Sequence, residues 1–282
     1  MLQEKKIGFI GSGNMAEALV SGLVLSKAAN PENILCSDIA EDLLEDIEKK
    51  YHVKTTPDNC EVAKESEIII YATKPQILGP VLKETAKTLD TSKLVISIAA
   101  GVPLAAIASG LCKELRLIRV MPNICAFVKE SATAIAAGEF ASKEDVALAR
   151  AIFDSVGRTV FIQENILMDA FTGLSGSGPA YIFTIIDAMA DAGVKMGLSR
   201  KDSLFLSTQT VMGAAKLLLE SGEHPGQLKD RVASPGGTAI AGIHTLEQGG
   251  LRTTMINAIE SATQRSKELG ETMVKEFLEN NK

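Results

Sequence analysis

Residues 7–16 read Ile-Gly-Phe-Ile-Gly-Ser-Gly-Asn-Met-Ala, a short apolar strand that runs into a glycine-rich turn, and a helical pattern follows from about residue 17. Gly11 permits a tight turn, and Gly13 has no side chain that would keep a pyrophosphate from the backbone. Ala16 is small enough for the helix to pack on the strand, and the free N–H groups that open the helix attract phosphate. The segment predicts a dinucleotide-binding turn, with an ordinary glycine-rich turn between strand and helix as the alternative.

The composition is that of a globular enzyme with room for two domains. The chain has 282 residues, 46% of them hydrophobic, and a formal net charge of −6. The acidic balance argues against nucleic acid or an anionic membrane as a partner. The four cysteines and three histidines show no disulfide or metal-ligand spacing. We therefore expect no metal, and reduced thiols in the cytoplasm.

Residues 94–112 carry no charge and are long enough to be considered as a membrane span. Gly101 and Pro103 interrupt this stretch, however, and a membrane helix would need an unbroken apolar run. A strand over 94–99, a turn, and a small-residue helix over 104–111 explain it better.

Short apolar runs alternate with helical patterns in the first part of the chain. Strands are predicted at 7–10, 34–37, 54–56, 67–72, 94–99, 115–121, 132–137 and 159–163. Such alternation predicts a mostly parallel sheet covered by helices, a Rossmann-type α/β domain. After residue 163 only helical patterns remain. We therefore expect a dinucleotide-binding domain over 1–163 and an all-α domain for substrate binding and dimerisation over 164–282.

Ligands of parallel sheets bind at the carboxyl ends of the strands. Here those ends carry small or polar residues, as a nucleotide site requires. Each loop alone could be an ordinary connection, but their recurrence at one edge indicates a site. The cofactor-binding candidates from this pattern are Gly11, Ser12, Gly13, Asn14, Met15, Ser37, Asp38, Ala72, Thr73, Lys74, Pro75, Ala99, Ala100 and Gly101.

Asp38 ends the second predicted strand and bears on the choice of dinucleotide. An acidic side chain there can accept both ribose hydroxyls of NAD and repels the 2′-phosphate of NADP. No Lys or Arg lies between Asp38 and Lys49 to offset that repulsion. We expect NADH to be used at least as well as NADPH; the alternative is that Asp38 only caps the following helix.

The predicted helix over 180–192 is apolar almost all round. Such a helix must be buried on every side, and the small helical part of the chain cannot supply that cover. We therefore expect at least a dimer.

Two glycine-rich strings stand out in the helical part. Residues 173–178 follow a helix rather than a strand, so we interpret their glycines as permitting a sharp helix connection and a close backbone approach. Residues 234–238 read Ser-Pro-Gly-Gly-Thr at the start of another helix. Consecutive N–H groups of Gly236, Gly237 and Thr238 would bind a carboxylate, and a simple capped turn is the alternative.

Several of these motifs together resemble pyrroline-5-carboxylate reductases. They lie, in family order, at 8–16, 72–75, 119–123 (Arg-Val-Met-Pro-Asn), 173–181, 224–230 and 234–237, and the likeness runs from residue 7 to about residue 267. The resemblance implies reduction of the cyclic imine Δ1-pyrroline-5-carboxylate to L-proline by NAD(P)H. It also implies a homodimer formed through the helical domain, often assembled into a decamer.

The resemblance places the substrate carboxylate on the 234–238 turn, with the Thr238 hydroxyl as a further donor and the catalytic candidate. It adds Asn59 to the cofactor residues, since the family frequently holds the phosphate of NADPH with hydroxyls such as Ser37 and an asparagine at this place. An iminium is already electrophilic, so positioning of the hydride donor matters more than acid catalysis. The substrate-binding candidates are Asn123, Ser234, Gly236, Gly237 and Thr238.

The chain departs from the family at two places: Ala239 stands where a threonine is common, and Ile124-Cys125 where Thr-Pro is common. A β-hydroxyacid dehydrogenase is one rival, but that family has a catalytic lysine where this chain has Ile182. A non-catalytic NAD(P)-binding regulatory protein is the other, and it would have no use for a carboxylate-binding turn.

Overall fold

The apolar runs of the first part pair into one sheet in the computed structural model, which describes residues 1–111 and 114–279. The strands are β1 (Ile7–Ile10), β2 (Ile34–Ser37), β3 (Lys54–Thr56), β4 (Ile68–Tyr71), β5 (Leu94–Ser97), β6 (Arg116–Met121), β7 (Ser131–Ala137) and β8 (Gly157–Phe161). Their order is β3-β2-β1-β4-β5-β6-β7-β8. Only β6 and β7 run antiparallel among these neighbours. The predicted mostly parallel α/β sheet is confirmed.

Helices cover both faces of this sheet. They are α1 (Asn14–Leu25), α2 (Glu41–Tyr51), α3 (Asn59–Glu65), α4 (Pro75–Thr85), α5 (Leu104–Leu111) and α6 (Lys143–Phe153). Alternate residues of a strand point to opposite faces, so the strands contribute to two separate cores. One core contains Phe9, Leu19 and Phe153, and the other contains Tyr71 and Leu82.

The uncharged stretch forms β5, a turn and α5 as far as residue 111, and Cys112 lies outside the described residues. Within the described part of the chain, no helix combines the length and apolar character that a membrane span needs. The interpretation as strand, turn and helix is therefore confirmed over 94–111.

The described residues after β8 form helices and short connections, as predicted. The helices are α7 (Asn165–Phe171), α8 (Gly178–Lys195), α9 (Arg200–Ser221), α10 (Pro225–Val232), α11 (Thr238–Gln248) and α12 (Leu251–Glu279). Ser199 caps α9 by accepting the Asp202 N–H at 3.0 Å.

The first glycine-rich string forms a helical turn. After α7 the chain continues through a π-helical turn over Thr172–Gly176, and α8 begins at Gly178. The close backbone approach expected of these glycines is present at Gly176. A Cβ added to Gly176 would lie 3.0 Å from the Cε of Met121 at the end of β6, so glycine lets this backbone pass against the strand end.

Backbone contacts divide the chain into two units, one with Met1–Ser177 and the segment that begins at Ser261, the other with Gly178–Glu260. The buried Met168 of α7 packs on Ala134 and Ala136 of β7. This contact explains why α7 groups with the sheet. The functional boundary between residues 163 and 164 remains a prediction.

Candidate functional site

A cavity of about 530 Å³ lies at the carboxyl ends of β1, β4, β5 and β6. This volume is typical of small-molecule sites. Its lining residues are Gly13, Asn14, Met15, Leu43, Ala72, Thr73, Lys74, Pro75, Ile98, Ala99, Ala100, Met121 and Pro122. The structure thus brings together most of the cofactor candidates of the phosphate turn and of the loops after β4 and β5.

Four of the lining residues were not among the cofactor candidates. Met121 and Pro122 lie where the strand predicted over 115–121 ends, one of the strand ends that the sequence assigned to the nucleotide site, and Ile98 lies within the strand predicted over 94–99. Leu43 lies on α2, and its apolar position in a helix gave no sign that it faces a cavity.

The turn after β1 has the shape that a phosphate requires. Gly11 has φ +97°, and an added Cβ would lie 3.0 Å from the carbonyl of Ala72, so this residue must be glycine. Gly13 is the N-cap of α1 and has open space where a Cβ would be. Helix α1 begins at Asn14, earlier than predicted, so its first N–H groups belong to the turn itself. The residues therefore fit a dinucleotide pyrophosphate.

Asp38 fastens this turn to the end of β2. Its Oδ2 accepts the N–H of the buried Ser12 at 2.8 Å, and its Oδ1 accepts the N–H of Ala40, the N-cap of α2, at 3.0 Å. The carboxylate thus serves the start of α2 and also stands beside the phosphate turn, where the cofactor ribose binds in Rossmann folds.

Ser37 and Asn59 form a polar chain beside Asp38. The Ser37 hydroxyl donates to Oδ1 of Asn59 at 2.8 Å, and Nδ2 of Asn59 donates to the carboxylate of Glu84 at 3.0 Å. Burial together with the charges of Asp58 and Glu84 raises the pKa of the neighbouring Cys60 thiol. The Asn59 amide is therefore already hydrogen bonded to the Glu84 carboxylate, in a region of negative potential.

Asn123 is engaged within the protein. Its Nδ2 donates to the Ser175 carbonyl at 3.1 Å, and its Oδ1 accepts the Cys125 N–H at 3.1 Å. Its own N–H donates to the Ser131 hydroxyl at 3.1 Å. These bonds tie the loop after β6 to the π-helical turn, and a direct contact of Asn123 with substrate stays a prediction.

The second glycine-rich string forms a tight turn before α11. The Gly237 N–H donates to the Ser234 carbonyl at 3.0 Å, and Gly236 has φ +67°. Gly237 is the N-cap of α11 and offers no side chain to its N–H groups. Since the turn itself uses the Gly237 N–H, the candidate N–H groups left for an anion are those of Gly236 and of the start of α11, from Thr238 onward. The Thr238 hydroxyl is exposed beside them.

Two buried protonatable groups are unsuited to acid catalysis. Burial raises the pKa of the Cys36 thiol to about 12 and raises that of the Tyr71 phenol, whose Oη is hydrogen bonded to Thr85. Neither group exchanges a proton readily near neutral pH.

Two family models match the chain. The one described as NADP oxidoreductase, coenzyme F420-dependent, matches residues 6–101, and the one described as pyrroline-5-carboxylate reductase dimerisation matches residues 165–269. The pyrroline-5-carboxylate reductase of Methanosarcina acetivorans is 50% identical over 269 residues, which are 95% of this chain and 99% of that protein. The Arabidopsis thaliana protein of the same name is 43% identical over 95% of this chain and 96% of its own length.

Solved structures show the same likeness. The structure of a pyrroline-5-carboxylate reductase from Coxiella burnetii is similar with a TM-score of 0.90 and 38% identity, over 94% of this chain and 98% of that one. The structure of Plasmodium falciparum pyrroline carboxylate reductase with NADP bound is similar with a TM-score of 0.85 and 33% identity, over 96% of this chain and 100% of that one.

Proposed function

This chain belongs to the pyrroline-5-carboxylate reductase family, and from that premise we propose that it reduces Δ1-pyrroline-5-carboxylate to L-proline with a reduced nicotinamide dinucleotide. The phosphate turn carries the proposal, because Gly11 lets the turn pass against the Ala72 backbone and Gly13 leaves open the space that a side chain would fill. An assay of NADH oxidation on addition of the imine tests it.

The bound dinucleotide supplies the hydride, and the chain's own residues position it. The N–H groups at the start of α1 hold the pyrophosphate, and Asp38 at the end of β2 holds the adenosine ribose. The loops after β5 and β6, with Ala99 and Met121, line the rest of the cavity. These apolar residues would hold the nicotinamide there and exclude water from the transferred hydride.

The substrate is an iminium with a carboxylate, and each part needs a different partner. We assign the carboxylate to the N–H groups that open α11 and to the Thr238 hydroxyl, where the helix dipole favours negative charge. The iminium nitrogen already carries its proton, so hydride transfer to the ring carbon yields the amine of proline directly.

Thr238→Ala should lower kcat/KM for the imine about tenfold, since a hydrogen bond to a charged partner contributes about 1–3 kcal/mol. Initial rates at saturating NADH measure this. Thr245→Ala in the same helix is the control, because the Thr245 hydroxyl bonds the Ala241 carbonyl within α11. Equal kcat/KM in both variants and the native enzyme would remove Thr238 from the site.

We propose that NADH is used at least as well as NADPH. Asp38 lies where the 2′-phosphate of NADPH would come, and Glu84 holds the Asn59 amide that would otherwise donate to that phosphate. Two carboxylates therefore act against NADPH at this end of the site.

We propose a homodimer, with a decamer as the further assembly, formed through the helical unit. Large apolar side chains are exposed in the single chain, among them Phe183 at 61%, Phe205 at 65% and Leu219 at 65%. An uncovered apolar surface of this kind is typical of an interface. The dimerisation model that matches residues 165–269 supports the dimer.

Light scattering at micromolar concentration should give twice the chain mass of 29.9 kDa or a multiple of it. Phe183→Glu should shift the population toward monomer, because it places a charge in the apolar face. Lys49→Glu, an exposed change on α2 in the other unit, is the control. A stable, active native monomer would contradict the proposed dimer.

We also place the protein in the cytoplasm. Cys36, Cys60 and Cys125 are free thiols, which suits a reducing compartment. Fractionation of the source cells, with detection by antibody, tests this placement.

A further inference from the structure

Glu164 lies between β8 and α7, outside the cofactor and substrate candidates, and its side chain bonds to two segments whose neighbouring residues line the cavity at the strand ends. Its Oε1 accepts the Leu104 N–H at 2.7 Å and the Nη1 of Arg119 at 3.0 Å. Arg119 is only 4% exposed, and its Nη2 has no hydrogen-bond partner among the described residues. One carboxylate oxygen therefore holds two segments that are distant in sequence.

The first segment is the loop between β5 and α5. Its residues Ile98, Ala99 and Ala100 line the cavity, and Gly101 turns the chain with φ +75°. Leu104 opens α5, so the bond to Glu164 fixes the point where the loop ends. A carboxylate at a helix N-terminus is also favoured by the helix dipole.

The second segment is the end of β6. Arg119 lies two residues before Met121. Met121 lines the same cavity and contacts Gly176 of the π-helical turn. The bond from Arg119 to Glu164 thus ties the β6 end to the anchor of the β5 loop.

We propose that Glu164 is a positioning residue for hydride transfer: through Leu104 and Arg119 it sets the spacing of the two cavity walls at the nicotinamide end. The inference rests on the proposed function, since hydride transfer is the step it affects. The adenosine and pyrophosphate ends are held by β1 and β2, which Glu164 does not touch. Its loss should therefore impair turnover more than dinucleotide affinity.

Two conservative variants separate this role from simple stabilisation. Glu164→Asp keeps the charge but is one methylene shorter, so it cannot hold Leu104 and Arg119 together. Glu164→Gln keeps the length and an accepting oxygen but leaves the buried guanidinium without its counter-charge. We expect kcat to fall about tenfold or more in the Asp variant, since small misplacements of reacting groups are costly.

The Asp variant should also bind NADH within about threefold of the native affinity, as measured by fluorescence titration. Its kinetic isotope effect with deuterated NADH should be larger than that of the native enzyme, because hydride transfer becomes slower. Hydrogen exchange of the peptide containing Leu104 should be faster. The Gln variant should keep kcat within about threefold while its Tm falls. Glu139→Asp, an exposed change after β7, serves as the control.

Equal losses of kcat in the Asp and Gln variants would overturn the proposal. It would also be overturned if the Asp variant had the same kcat as the native enzyme and the same hydrogen-exchange rate in the peptide containing Leu104. If the native protein does not reduce the imine, the proposed function fails instead. The exchange at Leu104 and the NADH affinity still decide whether Glu164 anchors the loop.

Discussion

Gly237→Val should lower kcat/KM for Δ1-pyrroline-5-carboxylate by about 100-fold while the affinity for NADH stays within about threefold. A Cβ on Gly237 would collide with the Ser234 hydroxyl. The hydroxyl has to rotate away, and the added Cβ also lies only 3.2 Å from the Ser234 carbonyl oxygen. The bulk of valine should therefore push apart the turn that the Gly237 N–H closes, so that the first N–H groups of α11 lose their direction. Because this turn is assigned to the substrate carboxylate alone, the loss should appear in kcat/KM for the imine.

Gly242→Ala is the matched control for this variant. Gly242 lies in α11 with open space around the Cβ position, so alanine should be tolerated there. Steady-state rates and fluorescence titrations of both variants give the comparison. If Gly237→Val reduced the imine as well as Gly242→Ala, the 234–238 turn would not be the carboxylate site.

Asp38→Ser should shift the ratio of kcat/KM for NADH over NADPH toward NADPH by more than about tenfold. The substitution removes the charge that opposes the 2′-phosphate and the acceptor for the ribose hydroxyls. It also removes the acceptor of the Ser12 N–H, so some loss of affinity for both dinucleotides is expected.

Asp46→Ser controls for the change in net charge, because the exposed Asp46 lies on α2 away from the cavity. Rates with each dinucleotide at a fixed imine concentration measure the shift. A native preference for NADPH of about tenfold or more would contradict the NADH assignment, since it amounts to about 1.4 kcal/mol in the wrong direction.

The sheet could be predicted from sequence because each of its strands is a short apolar run between polar or glycine-rich segments, as in Ile7–Ile10 and Ile68–Tyr71. The antiparallel direction of β7 relative to β6 could also have been predicted from the sequence. Residues 122–130 are too few for a parallel crossover, which takes a dozen or more residues. The phosphate turn could be predicted because Gly11 and Gly13 can be recognised from their place between a short apolar strand and a helix.

The contacts that shape the rest of the site have no such local signal. Asn59 meets Glu84 across 25 residues, and Leu104 meets Glu164 across 60. These pairs depend on how the helices and loops pack after folding. From the sequence we expected the Gly237 N–H to be available for a carboxylate. Only the folded turn shows that it donates to the Ser234 carbonyl.

Reduction of Δ1-pyrroline-5-carboxylate by the purified protein, with NADH oxidation and L-proline formation followed together, tests the central claim most directly. The fold, the phosphate turn and the family all predict one L-proline formed for each NADH oxidised, at a rate proportional to enzyme. An imine that stays unreduced with both NADH and NADPH, while the protein still binds a dinucleotide, would contradict the claim and favour a regulatory dinucleotide-binding protein.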